Sequence, residues 1–249
     1  MIVIKSATEI EKIRRASRVV AKVLSQVKER ILPGVSTLDL DQWAEKCIRA
    51  EGAIPAFKGY LGYQATLCTS INEEVVHGIP SATRVLKEGD IIGVDCGAII
   101  DGYYGDSAFT FPVGKVSKTA ADLLKVGEES LKRGIEQMTP DKRLYDIGAA
   151  IQAYAESHGY SIVRDYVGHG IGTKLHEEPQ VPNYGEPNTG PRLKPGMVFA
   201  IEPMVNEGTQ EVQLLSDGWT VVTKDKKLSV HFEHTIVITE KGPEILTVL

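Results

Sequence analysis

The chain contains an internal repeat in which corresponding residues lie 107 positions apart. A helix-ending proline, an acid in the next helix, a helix-ending glycine, a Leu-Lys-X-Gly segment and a strand acid all recur at this spacing. The pairs are Pro33 and Pro140, Asp39 and Asp146, Gly52 and Gly159, 86–89 and 193–196, and Asp95 and Glu202. A gapless match over roughly sixty positions indicates a duplication. We therefore expect two α/β halves, approximately 1–115 and 116–249, related by a pseudo-twofold axis, with an acid from each at the shared interface.

A predicted β-hairpin in the first half carries two acids. Asp95 ends an apolar run, Ile100-Asp101-Gly102 signals a turn, and Asp106 precedes a second run. Any two-residue loop between positions 99 and 103 gives a pairing register that puts Asp95 and Asp106 on the same face. Two like charges this close are unfavourable unless a proton or a cation lies between them. On the hairpin alone, a solvated pair on an exposed face is an equal alternative.

Helical periodicity and turn signals predict the remaining elements. The first helix follows the capping box Ser6–Glu9 and ends before Pro33, and further helices span about 37–52, 119–138 and 144–158. Further strands are predicted at 197–201, 212–215, 219–223 and 229–239. Glycine, proline and asparagine predict loops at 168–172 and 178–195.

Composition argues against several classes of function. The formal net charge of −5 over 249 residues disfavours a dedicated nucleic-acid or anionic-membrane binder. The chain has no apolar span of membrane length, and its first six residues lack a signal-peptide core. Its three cysteines, Cys47, Cys68 and Cys96, have no disulfide or zinc-site spacing. These features predict a cytoplasmic protein.

Four acids and one histidine form the candidate site. Asp95 and Asp106 come from the first half, while Glu202 ends the strand 197–201 at the position equivalent to Asp95. In the strand 229–239, alternation puts Glu233 on one face together with His231 and Thr235. His169 lies in the segment Gly168-His169-Gly170-Ile171-Gly172, where glycines allow close backbone approach to a bound group.

This set of side chains suits divalent metal ions. Carboxylates with one imidazole favour Mn²⁺, Fe²⁺ or Co²⁺, with Zn²⁺ as a further candidate. Two such ions neutralise four carboxylates, whereas one ion leaves two buried negative charges. Two metals about 3.5–4 Å apart that share a water form a hydrolytic site. Each acid considered alone is better explained as a surface carboxylate, so the metal hypothesis depends on all five residues together.

Five sequence motifs closely resemble those of type I, bacterial methionine aminopeptidases. They are Ser70-Ile71-Asn72 with 76–80, Asp95-Cys96-Gly97 with Gly105-Asp106, 168–172 with His176-Glu177-Glu178-Pro179, Ile201-Glu202-Pro203-Met204, and Glu233-His234-Thr235. The resemblance covers essentially the whole chain. It implies an α+β pita-bread (creatinase/aminopeptidase) fold, with a central antiparallel sheet and outer helices, in one catalytic domain over 1–249. The short stretch between Glu202 and Glu233 leaves no room for the insertion of the type II form.

The resemblance also implies a role for each site residue. Asp95 would chelate one metal, His169 and Glu202 would mainly serve the other, and Asp106 and Glu233 would bridge the two. Glu202 would also handle the proton of the attacking water. His77 and His176 match the family histidines that flank the scissile bond. From the residues alone, His77 beside Gly78 is better explained as part of a turn.

Further positions match the family's substrate pocket and a cation site. Tyr60, Tyr63, Cys68 and Trp219 match pocket positions, where a thioether gains dispersion and sulfur–aromatic contact. Leu175 stands where many relatives have phenylalanine, which implies a looser wall. His231 stands where some relatives have glutamine, beside the metals, and is expected to shift the pH profile. A monovalent cation, Na⁺ or K⁺, is implied near the backbone of Asn72, Glu74 and Ser229.

The expected function is removal of the initiator methionine from nascent chains, with small second residues preferred. Two metals would activate a hydroxide for attack on the first peptide bond. A cytoplasmic monomer with transient ribosome contact, no specific nucleic acid and no membrane is expected. Three alternatives remain open: a prolidase-like dipeptidase, a non-catalytic binding module of the same fold, and a structural Ca²⁺ protein. His169 argues against the last, because Ca²⁺ prefers oxygen ligands.

Overall fold

The computed structural model describes residues 2–249 and shows antiparallel sheets with α-helices packed on them. The helices are α1 (Ala7–Lys28), α2 (Thr37–Ala50), α3 (Lys118–Ile135) and α4 (Leu144–Ser157). The strands are β1 (Ile54–Pro55), β2 (Leu67–Ile71), β3 (Glu74–Val76), β4 (Ile91–Ile100), β5 (Tyr103–Pro112), β6 (Ser161–Ile162), β7 (Gly168–Gly170), β8 (Glu177–Val181), β9 (Val198–Ile201), β10 (Met204–Asn206), β11 (Val212–Leu214), β12 (Val221–Thr223), β13 (Ser229–His231), β14 (His234–Thr239) and β15 (Gly242–Ile245). Among residues 2–249, no helix is both long enough and apolar enough to cross a membrane.

Capping boxes define the starts of the first two helices, as the sequence predicts for α1. The Ser6 hydroxyl accepts a hydrogen bond from the Glu9 amide, while the Glu9 carboxylate accepts from the Ser6 amide at 2.8 Å. Ser36 and Asp39 repeat this arrangement at the start of α2. Each cap satisfies helix amides that have no intrahelical partner, which is worth about 1 kcal/mol.

The internal repeat is visible in the strand pairing. Strand β1 pairs with β4 through Ile54 and Ile99, and β6 pairs with β10 through Ser161 and Asn206. Both members of the second pair lie 107 positions after their counterparts in the first. Helix α4 likewise repeats α2 with both ends at this spacing. These elements of the second half therefore repeat those of the first half at the same spacing.

The predicted hairpin is confirmed. Strands β4 and β5 pair along their full length around a two-residue loop, Asp101-Gly102, in which both residues have positive φ, +50° and +76°. Positive φ at both positions characterises the type I′ turn, whose twist suits an antiparallel pair. Asp95 pairs with Ala108 and Gly97 pairs with Asp106. Asp95 and Asp106 therefore lie diagonally opposite each other on the same face.

The predicted continuous strand 229–239 is wrong in one respect, because it is divided into β13 and β14. Strand β13 pairs with β10 and β14 pairs with β9, in a common register that is interrupted around Pro203. Proline has no amide hydrogen and cannot continue a ladder of backbone hydrogen bonds. Glu202 and Glu233 both lie in this interruption.

Hydrogen bonds between β5 and the segment 231–235 join the two halves. The Glu233 amide donates to the Ala108 carbonyl at 2.7 Å, and the Ser107 hydroxyl donates to the Glu233 carbonyl at 2.5 Å. The Thr235 hydroxyl donates to the Asp106 carbonyl and accepts from the Asp106 amide. These contacts bring an acid-bearing strand of each half to the same interface.

The predicted loops at 168–172 and 178–195 are only partly correct, since strands β7 and β8 occupy their beginnings. The glycines of β7 reflect crowding rather than a loop. A Cβ atom at Gly168 would lie 2.4 Å from the Ala200 carbonyl oxygen, and one at Gly170 would lie 2.3 Å from that of Glu178. Only glycine allows neighbouring backbones this close.

Each half has an apolar core beneath its helices. In the first half, Val20, Leu40 and Val94 are fully buried together. In the second half, Leu123 and Ile147 pack in the apolar cluster that also contains Phe199. Helix α3, which carries Leu123, ends at Ile135, three residues before its predicted end. The helices thus cover the outer faces and leave the inner faces for the site.

Candidate metal centre and substrate pocket

The five predicted ligands converge between the two halves. Asp106, His169 and Glu233 are buried, and each offers a ligand atom within 4.8 Å of the others. His169 Nε2 lies 3.4 Å from Glu202 Oε1 and 3.9 Å from Asp106 Oδ2. Asp95 lies on the same hairpin face as Asp106, diagonally opposite it across the β4–β5 ladder. Residues distant in sequence therefore form one cluster.

The backbone around His169 determines which ring nitrogen faces the acids. Strand β7 holds His169 opposite Ala200 of β9. The Nδ1–H group of His169 donates to the Gly170 carbonyl oxygen at 3.0 Å. This tautomer leaves the lone pair of Nε2 directed at the carboxylates, as a metal-binding imidazole requires.

Burial strongly perturbs the acids of this cluster. It raises the pKa of Asp95 to about 7 and that of Glu202 to about 8. Burial, followed by the charges of the neighbouring acids, also raises the pKa values of Asp106 and Glu233 well above their ordinary range. Burial lowers the pKa of His169 to about 3, so this imidazole is neutral. Without a cation, the folded cluster must hold protons to reduce its repulsion.

The donor set fits divalent cations. Asp95 Oδ1, Asp106 Oδ1 and Glu233 Oε1 are buried and have no hydrogen-bond partner among residues 2–249. Buried polar atoms without partners are costly, and several aimed into one space indicate a missing ligand. Carboxylate oxygens and a neutral imidazole are ligands for borderline divalent ions. The structure therefore supports divalent metal binding, as the sequence predicts.

His231 lies beside this cluster. It is 4% exposed, and its Nε2 atom lies 3.7 Å from Glu202 Oε2. Burial lowers its pKa. The side chain thus points to the same side as Glu233, as strand alternation predicts, although the strand is broken between them.

His77 and His176 line the space in front of the metal centre. The Tyr60 hydroxyl lies 2.8 Å from His176 Nδ1, and the His176 ring meets the His169 ring edge-on at 4.3 Å. His77 has a positive φ of +61°. This backbone conformation is unfavourable for a residue with a side chain and is maintained by its surroundings, which is frequent at functional sites. Burial lowers the pKa of His77 to about 4, so it is neutral.

An apolar pocket of about 160 Å³ opens directly onto the metal centre. All five predicted pocket residues line it: Tyr60, Tyr63, Cys68, Leu175 and Trp219. The rings of Tyr63 and Trp219 meet edge-to-face at 5.0 Å, and burial raises the pKa of the Cys68 thiol, so it stays neutral. The walls are therefore largely aromatic and aliphatic, and the lining also includes the four acids.

Sequence reasoning missed two residues of this pocket, Phe57 and Leu61. The position of Phe57 depends on a distant glycine. A Cβ atom at Gly97 would lie 2.7 Å from the Phe57 ring, so the ring occupies space that Gly97 leaves free. Phe57 packs in the same apolar cluster as Leu175. An aromatic ring therefore lines the pocket beside the smaller Leu175 side chain.

A wider cleft of about 670 Å³ adjoins the pocket on the other side of the metal centre. It shares His77, Asp95, His169, His176 and Glu202 with the pocket. Its outer wall is formed by Val3, Tyr166 and polar side chains that include Thr173, Lys174 and Gln180. The site thus offers a small apolar space for one side chain and a larger adjoining space whose lining includes several polar side chains.

The three residues predicted near a monovalent cation lie close together. The Ser229 amide donates to the Asn72 carbonyl at 2.9 Å, and Asn72 has a positive φ of +55°. The Glu74 carboxylate is paired with the Arg84 guanidinium and accepts from the Ile71 amide. Its charge is therefore already paired, with both of these contacts made through Oε2.

Comparisons with known proteins agree with this architecture. Residues 11–240 match the model of metallopeptidase family M24. Methionine aminopeptidase of Clostridium acetobutylicum is 56% identical over 247 residues, which is 99% of both chains. A crystal structure of methionine aminopeptidase from Thermotoga maritima superposes with a TM-score of 0.99 at 48% identity, covering 100% of both chains.

A structure of prolidase from Pyrococcus horikoshii is a more distant neighbour. It is 26% identical with a TM-score of 0.79, and the match covers 98% of this chain but 63% of the prolidase. Together with the closer match, it confirms the predicted α+β pita-bread fold.

Proposed function

The chain belongs to metallopeptidase family M24, among its methionine aminopeptidases, and we propose from this membership that it removes the initiator methionine from nascent polypeptides by hydrolysis at a dinuclear metal centre. The observation that carries the proposal is the adjacency of a methionine-sized apolar pocket to the buried cluster of acids. A thioether in an aromatic pocket is stabilised by dispersion and sulfur–aromatic contact.

Asp95, Asp106, His169, Glu202 and Glu233 would hold two divalent cations. The charge supports two ions, because four carboxylates carry four negative charges in a site with no buried lysine or arginine among the residues that line it. When bound there, divalent cations lower the pKa of a water toward neutrality and polarise a carbonyl oxygen. Cobalt, manganese, iron and zinc ions are each compatible with these ligands.

Glu202 is the proposed proton acceptor. Its carboxylate lies between the two neutral imidazoles of His169 and His231. An ionised carboxylate beside the attacking water can take its proton and then deliver it to the leaving amine. The same residue therefore serves both halves of the hydrolysis.

His176 is the proposed donor to the carbonyl oxygen of the scissile bond, and His77 contacts the substrate amide. Burial lowers the pKa of His176, so the ring is neutral and carries one N–H group. The Tyr60 hydroxyl lies 2.8 Å from Nδ1. In this proposal the hydroxyl donates to Nδ1, which keeps the proton on Nε2. A neutral N–H aimed at a developing oxyanion stabilises the transition state more than the ground state.

The remaining details follow from the same site. We also propose a preference for a small second residue, as the resemblance to the family implies. The substrates are nascent chains, so the protein is proposed to work in the cytoplasm, as a monomer in transient contact with the ribosome. Asn72, Glu74 and Ser229 are proposed to lie around a monovalent cation that stiffens the β3–β13 region.

The test is methionine release from Met-Ala-Ser by protein stripped of metal and then titrated with Mn²⁺ or Co²⁺. Activity should be absent after stripping and should return with metal, and Met-Leu-Ser should be cleaved far more slowly. Full activity of the stripped protein would contradict the metal mechanism. Ala-Pro serves as the comparison substrate: its preferential cleavage would favour the prolidase-like alternative suggested by the more distant structural neighbour.

Replacing Tyr60 by phenylalanine tests the role of its hydroxyl. Tyr60→Phe keeps the aromatic wall of the pocket but removes the hydrogen bond to His176, so the Nε2–H tautomer is no longer favoured. We expect kcat to fall about tenfold with little change in KM. Tyr103→Phe is the matched control, because its hydroxyl bonds Glu9 at 3.3 Å instead. An unchanged kcat for Tyr60→Phe would show that the Tyr60 hydroxyl does not determine the tautomer of His176.

A further inference from the structure

We propose that Lys5 is a positioning residue for His176, acting through a buried ion pair with Glu177. The proposal rests on the role proposed for His176 and adds to it the means by which the histidine is oriented. Lys5 lies in the segment before α1, whereas Glu177 immediately follows His176 in the chain. Neither residue touches the cluster of acids.

The ion pair is unusual because it is buried. Lys5 Nζ lies 2.5 Å from Glu177 Oε2, and the two side chains are 4% and 11% exposed. By contrast, the pair formed by Arg15 and Asp101 at the hairpin turn is about half exposed on both sides. Exposed pairs contribute little, while removing one partner of a buried pair leaves an uncompensated charge. Loss of Lys5 should therefore move Glu177.

The second oxygen of Glu177 organises the turn that precedes His176. Glu177 Oε1 accepts hydrogen bonds from the Thr173 amide at 2.8 Å and from the Lys174 amide at 3.3 Å. One carboxylate thus holds both the lysine ammonium and the backbone of the turn 172–176. A displaced Glu177 would release this turn, and with it the backbone of His176.

Lys5 itself is anchored to the strand that leads to Glu202. Its amide donates to the Gly196 carbonyl at 2.7 Å, directly before β9. Gly196 has a φ of +86°, and a Cβ atom there would lie 2.9 Å from the Lys5 carbonyl oxygen. Lys5 therefore connects the entrance of the Glu202-bearing strand to the turn that carries His176. This connection fixes the distance between the two groups that act on the substrate.

Gly172 provides an independent way to disturb the same pair. A Cβ atom at Gly172 would lie 2.5 Å from Lys5 Nζ and 2.6 Å from Glu177 Oε1. Gly172 does not have positive φ, so alanine fits its backbone and acts only by crowding the ion pair. Gly172→Ala thus leaves both charges in the chain but forces them apart.

The test is a double-mutant cycle with Lys5→Met and His176→Ala, measured on Met-Ala-Ser with saturating Mn²⁺. Lys5→Met should lower kcat about tenfold and change KM less than threefold, and Gly172→Ala should do the same. In the His176→Ala background, Lys5→Met should lower kcat no further, because its effect passes through the missing ring. Arg15→Met is the control and should retain full kcat.

A second readout is independent of turnover. In metal-free protein with labelled histidines, Lys5→Met and Glu177→Gln should shift or broaden the His176 ring signals, while those of His158 stay in place. Glu177→Gln also covers the case in which Lys5→Met does not fold. Equal losses of kcat from Lys5→Met in both backgrounds, or unchanged His176 signals, would overturn the proposal. A wild-type protein that releases no methionine would instead refute the proposed function.

Discussion

Glu202→Ala is expected to abolish methionine release, with kcat reduced on the order of 1,000-fold or more. The substitution removes the proposed proton acceptor and one metal ligand at once. The protein should nevertheless fold, because Glu202 lies in an interruption of the β9–β14 and β10–β13 ladders and its side chain carries no structural hydrogen bond among residues 2–249. Steady-state kinetics on Met-Ala-Ser with excess Mn²⁺, together with bound-metal analysis, measures both effects.

Two comparison variants separate these contributions. Glu202→Gln keeps an oxygen ligand and the side-chain shape but cannot accept a proton, so it should retain more metal than the alanine variant while remaining inactive. Glu211→Ala removes an exposed acid away from the site and should leave kcat unchanged. Substantial turnover by Glu202→Gln would show that another group takes the proton.

The metal-free protein is expected to lose stability as the pH rises from about 7 to about 9, a range in which the buried histidines are neutral in both the folded and the unfolded state. The pKa values of Asp95 and Glu202 are raised in the folded state to about 7 and about 8, mainly by burial. Between their unfolded and folded pKa values, the folded protein binds more protons than the unfolded chain, so its free energy of unfolding decreases with pH.

Divalent metal should reverse this trend. A cation replaces the protons that the acids would otherwise hold, and metal binding is stronger where the ligands are deprotonated. Thermal unfolding from pH 7 to pH 9, with chelator and with Mn²⁺, should give diverging Tm values as the pH rises. Asp95→Asn should flatten the dependence of the metal-free Tm on pH, because it removes one carboxyl group whose pKa is raised by burial. A metal-free Tm that increases over this range would contradict the buried arrangement of the four acids.

Local sequence patterns were sufficient for much of the fold and for identifying the side chains that form the candidate metal centre. The capping box at Ser6 and the two-residue turn at Asp101-Gly102 depend on a few adjacent residues, and each is found as predicted. The side-chain period of a strand then determines that Asp95 and Asp106 share a face. The repeat at 107 positions related Glu202 to Asp95 without any knowledge of the sheet. These features are predictable because they follow from short-range geometry or from a comparison of the chain with itself.

The remaining features of the fold and of the site depend on tertiary contacts. The glycines of β7 looked like loop residues, and only the approach of Ala200 and Glu178 explains why a strand needs them there. Phe57 enters the pocket because distant Gly97 leaves space for its ring. Lys5 and Glu177 lie 172 positions apart, and nothing near either residue indicates the other. Such contacts depend on how separate elements pack, since burial and close approach exist only once the two halves have come together.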